Sequence, residues 1–202
     1  MNDTKEHIIL IASRLFLEKN FKEVTMKDIV DKTGLSKGAF YHYFESKEQL
    51  FLEVLEYFFQ FISRDYDSYS KESFHQFYND YANDTLFQSR KYLEKFNQSQ
   101  NEGSGTMNYF LMMFDALKLL PEFRERAIEG FNRELEYWTK AAERGRINGE
   151  IKSNMTDREI GETFMYLSDG VGMHMILRGV SIENMVKPFK QLWDKLYEEI
   201  KA

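Results

Sequence analysis

The stretch Thr25–Lys47, TMKDIVDKTGLSKGAFYHYFESK, leaves the chain few ways to fold, because it spells two short helices with a tight turn between them. Thr25 stands three residues before Asp28, the spacing at which a hydroxyl and a carboxylate can satisfy each other's backbone amides at a helix start. Ile29 and Val30 supply the buried side of that helix. Gly34 ends it, since a glycine just past a helix takes the left-handed conformation without a Cβ clash. Leu35 turns inward, Ser36 caps a second helix from Lys37 to about Tyr43, and Ser46 caps a third. Phe40 and Phe44, four residues apart, are the expected buried anchors of the second helix. Two helices of this length across a glycine turn form a helix-turn-helix, whose second helix can enter a DNA major groove.

The residue types on the second helix suit that placement. Gly38 and Ala39 carry almost no side chain, so the helix start can approach base edges closely, while Lys37, Tyr41, His42 and Tyr43 bring donors to bases or phosphates. The run TMKDIVDKTGLSKGAFYHYFESKEQL, with the upstream RLFLEKNFKEV, resembles the TetR family of bacterial transcriptional regulators over roughly the first quarter of the chain. The resemblance implies DNA contact by Thr25, Lys27, Ser36, Lys37, Gly38, Ala39, Tyr41, Tyr43 and Lys47. It extends to His42, a position where members of the family place the side chain differently. Beyond that quarter only the helical layout matches.

Composition bounds the rest. The 202 residues are 43% hydrophobic and 16% aromatic, enough for a substantial core, and the absence of cysteine rules out disulfides and thiolate metal sites. MNDTKEH has an early acidic residue and no apolar run, and no stretch nears the twenty or so apolar residues of a membrane span, so a cytoplasmic protein without membrane partners is expected. The net charge of -6 looks wrong for a nucleic-acid protein, but residues 1–50 are neutral and the acidic surplus lies wholly outside them. Locally, Lys27, Lys37 and Lys47 flank the reading helix, and local charge matters most because interactions are screened beyond about 10 Å.

In chain order, residues 3–19 form an amphipathic helix with Ile8, Ile9, Ala12, Leu15 and Phe16 at helical spacing, capped by Asp3 with Glu6. It should close a three-helix domain over residues 1–46. A helix uninterrupted by glycine or proline then runs from Lys47 to about Tyr66 and opens a larger helical domain, 47–202, for effector binding and dimerisation. Residues 71–100 read as one helix or two, with a break near Asn83 and Asp84. NEGSG, residues 101–105, reads as a flexible loop. Met107–Leu119 is apolar on most sides and expected to be buried. Pro121 opens a helix ending at the Asn148–Gly149 turn, Thr156 caps one running to about Arg178, and Ser181 caps a last one that Pro188 should kink. The fold class is all-α, with about nine helices.

Three further sets of residues suggest function. Residues 51–114 hold 17 of the 32 aromatic side chains. They can be an aromatic core or the walls of a ligand cavity, with Phe58, Phe61, Phe110, Met113, Phe114, Tyr137 and Trp138 as the candidates. Glu134 and Asp115 could face a lipophilic cation or simply solvent. Gly161, Met165, Ser168 and Gly172, spaced for close helix approach, together with Met185, Phe189, Leu192 and Leu196, form the expected dimer interface. In the family resembled, the last two helices pair between two copies. The four histidines are scattered, so neither a metal nor another cofactor is expected, and no nucleophile elbow, phosphate loop or spaced carboxylate pair points to an enzyme. Between Arg14 and Arg64 there is no arginine, which leaves Lys37 to serve at a guanine.

The expectation is a ligand-responsive dimeric regulator, a repressor that leaves a palindromic operator when a small apolar or amphipathic effector binds. Two other readings stay open: a small-molecule binding protein or enzyme that uses the motif as scaffold, and a DNA-binding activator without a ligand.

Overall fold

The computed structural model describes residues 3–62, 64–96, 104–180 and 184–202, with side chains except those of 60–62, 93, 96, 104–107 and 109. The described residues form nine α-helices: α1 Asp3–Glu18, α2 Met26–Thr33, α3 Lys37–Tyr41, α4 Lys47–Ile62, α5 Phe74–Phe96, α6 Ser104–Leu119, α7 Pro121–Ile147, α8 Asp157–Leu177 and α9 Val186–Ile200. A short 3-10 turn, Tyr66–Ser68, precedes α5. Residues 101–103 of the expected loop and the expected cap Ser181 lie outside the described residues. Backbone packing divides the chain into two compact units, Met1–Ser63 with Tyr92–Glu125, and Arg64–Lys91 with Arg126–Ala202.

In the first unit the apolar stripe of α1 packs against α2, α4 and α6. Ile8, Ala12, Phe16, Ile29, Phe40, Phe44 and Leu50 are all buried in one cluster, so the helix-turn-helix and the start of α4 share a single core. Two polar ties reinforce α1. Lys5 Nζ meets Glu53 Oε1 at 2.8 Å, and Glu6 accepts from Tyr57 Oη at 3.1 Å and from Lys95 Nζ at 3.3 Å. Donation first from Tyr57 and then from Lys95 holds the Glu6 carboxyl below its ordinary value. The expectation for α6 needs correcting: Met112 and Ala116 are buried, yet Leu111 and Phe114 are half exposed, so only one face of this apolar helix enters the core.

The second unit is built around two indoles. Trp138 of α7 and Trp193 of α9 lie 5.1 Å apart between ring centroids and are walled by Phe74, Tyr81 and Phe164; Trp193 Nε1 donates to the Phe164 carbonyl at 2.8 Å. Glu150, in the turn after α7, adds to the Ser73 cap at the α5 N-terminus: Ser73 Oγ accepts from the Gln76 amide at 2.9 Å, and Glu150 accepts from the Phe74 and His75 amides at 2.7 and 2.8 Å and from Tyr197 Oη at 3.0 Å. Anionic oxygens are favoured there because the first amides of a helix lack intrahelical partners. An isolated antiparallel bridge joins Ile151 to Lys201.

Several boundaries differ from expectation. Helix α5 runs unbroken through Asn83, which is exposed, and Asp84, whose Oδ2 pairs with Arg64 Nη1 at 2.9 Å. Helix α3 ends at Tyr41 and α4 at Ile62, both shorter than expected. Because α9 begins only at Val186, Pro188 falls in its first turn, where no intrahelical amide is missed, and produces no mid-helix kink.

Candidate nucleic-acid interface

Helix α2 starts as its residues dictate. Thr25 Oγ1 accepts from the Asp28 amide at 3.1 Å, while Asp28 Oδ2 accepts from the Thr25 amide at 2.9 Å and hydroxyl at 2.7 Å. These donations from Thr25, side chain first and backbone second, hold the Asp28 carboxyl below its usual range. Gly34 ends the helix at φ 69°, and Ser36 Oγ accepts from the Ala39 amide at 3.3 Å to start α3.

Helix α3 is pinned from beneath and bare above. Phe40 and Phe44 are fully buried, whereas Ser36, Lys37, Gly38, Ala39, Tyr41 and His42 are all exposed. With Thr25 and Lys27, also exposed, they form one polar rim around the helix-turn-helix. A Cβ added to Gly38 would meet nothing within 4 Å, so the protein's own packing does not call for a glycine here. Lys37 Nζ lies 5.9 Å from the Tyr41 ring centroid. Tyr43 is only half exposed, with its ring 5.4 Å from that of His42 and packed on the core.

Lys47 is placed differently from the other expected DNA contacts. Its Nζ donates to the carbonyls of Phe21 at 2.8 Å and Val24 at 2.9 Å and sits 4.3 Å from the Phe21 ring centroid.

A family model described as bacterial regulatory proteins, tetR family, matches residues 8–54, the segment that carries this rim and its supporting core. Over these residues the chain is similar to the TetR family. Its TetR-type segment is 48% identical over 58 residues to the uncharacterized HTH-type transcriptional regulator YerO of Bacillus subtilis, covering 29% of this chain and 20% of YerO. It is 34% identical over 58 residues to the HTH-type transcriptional repressor KstR2 of Mycolicibacterium smegmatis, covering 29% of this chain and 28% of that one. The chain thus spans less than a third of the length of the curated relatives it matches. These relatives are named as regulators of transcription and not as enzymes. The all-helical TetR fold extends over the whole chain: a TetR transcription regulator from Haloarcula marismortui superposes with a TM-score of 0.74 at 15% identity, covering 100% of both chains.

The other two TetR-type expectations meet a more divided structure. Of the cavity candidates, Phe58 is buried in the first unit beside Tyr92, with ring centroids 5.8 Å apart; Phe110 and Met113 are half buried and Phe114 is 54% exposed. Tyr137 and Trp138 belong to the second unit. There Tyr137 stacks on Tyr66 at 4.7 Å, and Trp138 has no exposed surface, so its area is spent on core packing. The side chain of Phe61 lies outside the described residues. Asp115 accepts from the Phe21 amide at 3.4 Å, and Glu134 from Tyr81 Oη at 2.6 Å.

Of the dimer candidates, Gly161 faces α7 of its own chain, where a Cβ would meet Trp138 Cβ at 3.1 Å and the Thr139 amide at 3.2 Å. Met165, Met185 and Phe189 are buried within the protomer, and Ser168, Gly172 and Leu196 are partly buried. Leu192 is exposed. The exposed apolar stripe of α8 runs instead through Tyr166, Gly170, Met173 and Leu177 at helical spacing. His174, on the same helix, is exposed.

The second unit also holds a polar cluster that sequence reading missed. Arg64 reaches Asp84 at 2.9 Å and Thr85 Oγ1 at 3.0 Å and lies 4.0 Å from the Tyr81 ring centroid, with Tyr69 Oη donating to Asp84 at 2.7 Å. Burial raises the tyrosine hydroxyls here well above their ordinary value. A lone arginine followed by tyrosines at 66, 69 and 81 was the available signal. Among the described residues no group of three or more metal-ligating side chains comes together, and no helix is long and apolar enough to cross a membrane.

Proposed function

We propose that the chain is a sequence-specific DNA-binding regulator of transcription that acts as a homodimer on a palindromic operator, as a repressor released by a small apolar or amphipathic effector. The observation that carries the reading is the bare polar rim of α3 on its buried Phe40–Phe44 anchor. A helix that stands clear on one side and is immobilised on the other is what major-groove reading requires. On this reading residues 1–46 bind DNA, and Ser36, Lys37, Gly38, Ala39, Tyr41 and His42 reach bases or phosphates, with Thr25, Lys27 and Tyr43 at the rim. Residues 47–202 take the effector and the second copy. The protein works where the chromosome is, in the cytoplasm.

Dimerisation follows from how little one α3 can read, since five residues span few bases and two copies on one duplex double the contacts. The exposed α8 stripe with Leu192 is the face proposed for the second copy. For the effector, the reading is supported by α6 packing against both α1 and α4 of the same unit. A ligand wedged beside Phe110, Met113 and Phe114 would displace helices that share a core with α3. The ligand must favour the released state, and a tenfold loss of operator affinity needs about 1.4 kcal/mol of differential binding.

The test is operator titration of the purified chain with and without candidate effectors. The reading expects saturable binding to an inverted repeat that weakens as effector is added. A compound that binds the chain yet leaves DNA affinity unchanged would remove the effector part. Catalytic turnover of such a compound, or salt-dependent binding without preference for a repeat, would favour the open alternatives.

A further inference from the structure

Lysine at the first position of a helix is electrostatically misplaced, because the free amides at that end already carry a partial positive charge. Lys47 is the first residue of α4. Such a local violation persists when something nearby compensates for it, and here the compensation is visible. The ammonium folds back onto the turn between α1 and α2, placing two of its three N–H donors on the Phe21 and Val24 carbonyls at 2.8 and 2.9 Å and its charge over the Phe21 ring. That turn is also held by Asn20, whose Oδ1 accepts from the Lys22 and Glu23 amides at 3.0 and 3.1 Å, and by Asp115, which accepts from the Phe21 amide at 3.4 Å. Val24 is fully buried, and Thr25, the next residue, caps α2.

We propose that Lys47 is a positioning residue for DNA reading: it ties the start of α4 to the turn that delivers Thr25 and α2, and so sets the attitude of α3, instead of acting as a phosphate contact. The inference rests on the DNA-binding reading for its consequence, though not for its geometry. A phosphate contact and a positioning tie leave different signatures. Removing a phosphate-bound lysine lowers the slope of log affinity against log salt by about 0.9 per chain, about 1.8 for two chains on one duplex, and leaves the unbound protein unaffected. Removing a tie lowers affinity by a similar factor at every salt concentration and destabilises the unbound protein.

The experiment uses the full chain, its Lys47→Met and Lys47→Gln variants, and Lys27→Ala as an exposed reference. Thermal melting is read without DNA. Affinity is read between about 50 and 200 mM salt for a duplex that the wild-type chain selects from a random library. The expected result for Lys47→Met is a lower melting temperature and a loss of about tenfold in affinity with unchanged salt slope; Lys27→Ala keeps its melting temperature and loses slope. Lys47→Gln, whose amide retains donors for the carbonyls, is the milder case, and should lose less of both melting temperature and affinity with the slope again unchanged. If Lys47→Met does not fold, Lys47→Gln decides alone. A Lys47→Gln slope reduced by about 1.8, which is about 0.9 for each of the two chains on the duplex, with an unaltered melting temperature overturns the proposal. Should the wild-type chain select no duplex, the DNA-binding reading fails by itself, while melting of the variants still reports whether the tie exists: a lower melting temperature supports it and an unchanged one refutes it.

Discussion

Gly38 illustrates how a single residue can separate the needs of a fold from those of its task. Nothing in the chain lies within 4 Å of where its Cβ would be, and the position is helical, so alanine there should stabilise the unbound protein by up to about 1 kcal/mol. The same methyl would stand between α3 and a base edge. We therefore expect Gly38→Ala to raise the melting temperature and weaken operator binding, and a variant that binds as tightly as wild type would show that close approach is not needed. At Lys37, truncation to alanine should relax preference at one operator position by about 1–3 kcal/mol, measured against a panel of operator variants. Asp28 sets a pH dependence. Its carboxyl is held low by Thr25 in the folded state, so its contribution is complete above the ordinary aspartate value and is lost as pH falls through the depressed one. Wild type should be more stable than Asp28→Asn near neutrality, and the gap between their melting temperatures should close in acid. Most of this was legible in the sequence, because caps, turn glycines and an i, i+4 phenylalanine pair are local signals. Lys47 was not, since the carbonyls it serves lie more than twenty residues earlier in the chain.

Among the elements, α8 shows where periodicity stops informing. Spacing identifies a row of small residues but not whose helix approaches it. At Gly161 the approaching helix is α7 of the same chain, so Gly161→Ala should cost about 1–3 kcal/mol of stability by overpacking against the Trp138 and Thr139 backbone, without a specific effect on assembly. The row beside it, Tyr166, Gly170, Met173 and Leu177, is the one left uncovered. Asp169 lies on this same exposed side. Desolvation, and after it the neighbouring Glu134, push its carboxyl up to about 6. A carboxyl raised on folding takes stability away as pH rises from the unfolded value through the folded one. Stability should fall between about pH 4 and 6, and Asp169→Asn should flatten that segment of a melting-temperature profile. Helix α9 taught a related lesson: the expected kink at Pro188 assumed a start near Ser181, and the later start turns the same proline into a first-turn residue.

For the molecule as a whole, the all-helical class and the order of the helices were readable because no stretch alternates like a strand and several helices carry their own cap or turn signals, while the ends of α3 and α4 were not. The division into packing units was not, since Tyr92–Glu125 joins the N-terminal helices through contacts that no local pattern announces. The proposed dimer makes its own prediction. Leu177→Glu, at a position 69% exposed in the protomer, should leave helicity and melting of the protomer intact. It should also give a monomer by sedimentation and lose on the order of a hundredfold in affinity for a palindrome as two-site avidity disappears. The central claim, that two exposed α3 helices read one duplex, is tested most directly by unbiased selection of duplexes bound by the wild-type chain, with the stoichiometry of the selected complex. The account predicts an inverted repeat bound by two chains, with one position of each half-site relaxed by Lys37→Ala. Enrichment of no sequence, or of an asymmetric one bound by a single chain, would contradict it.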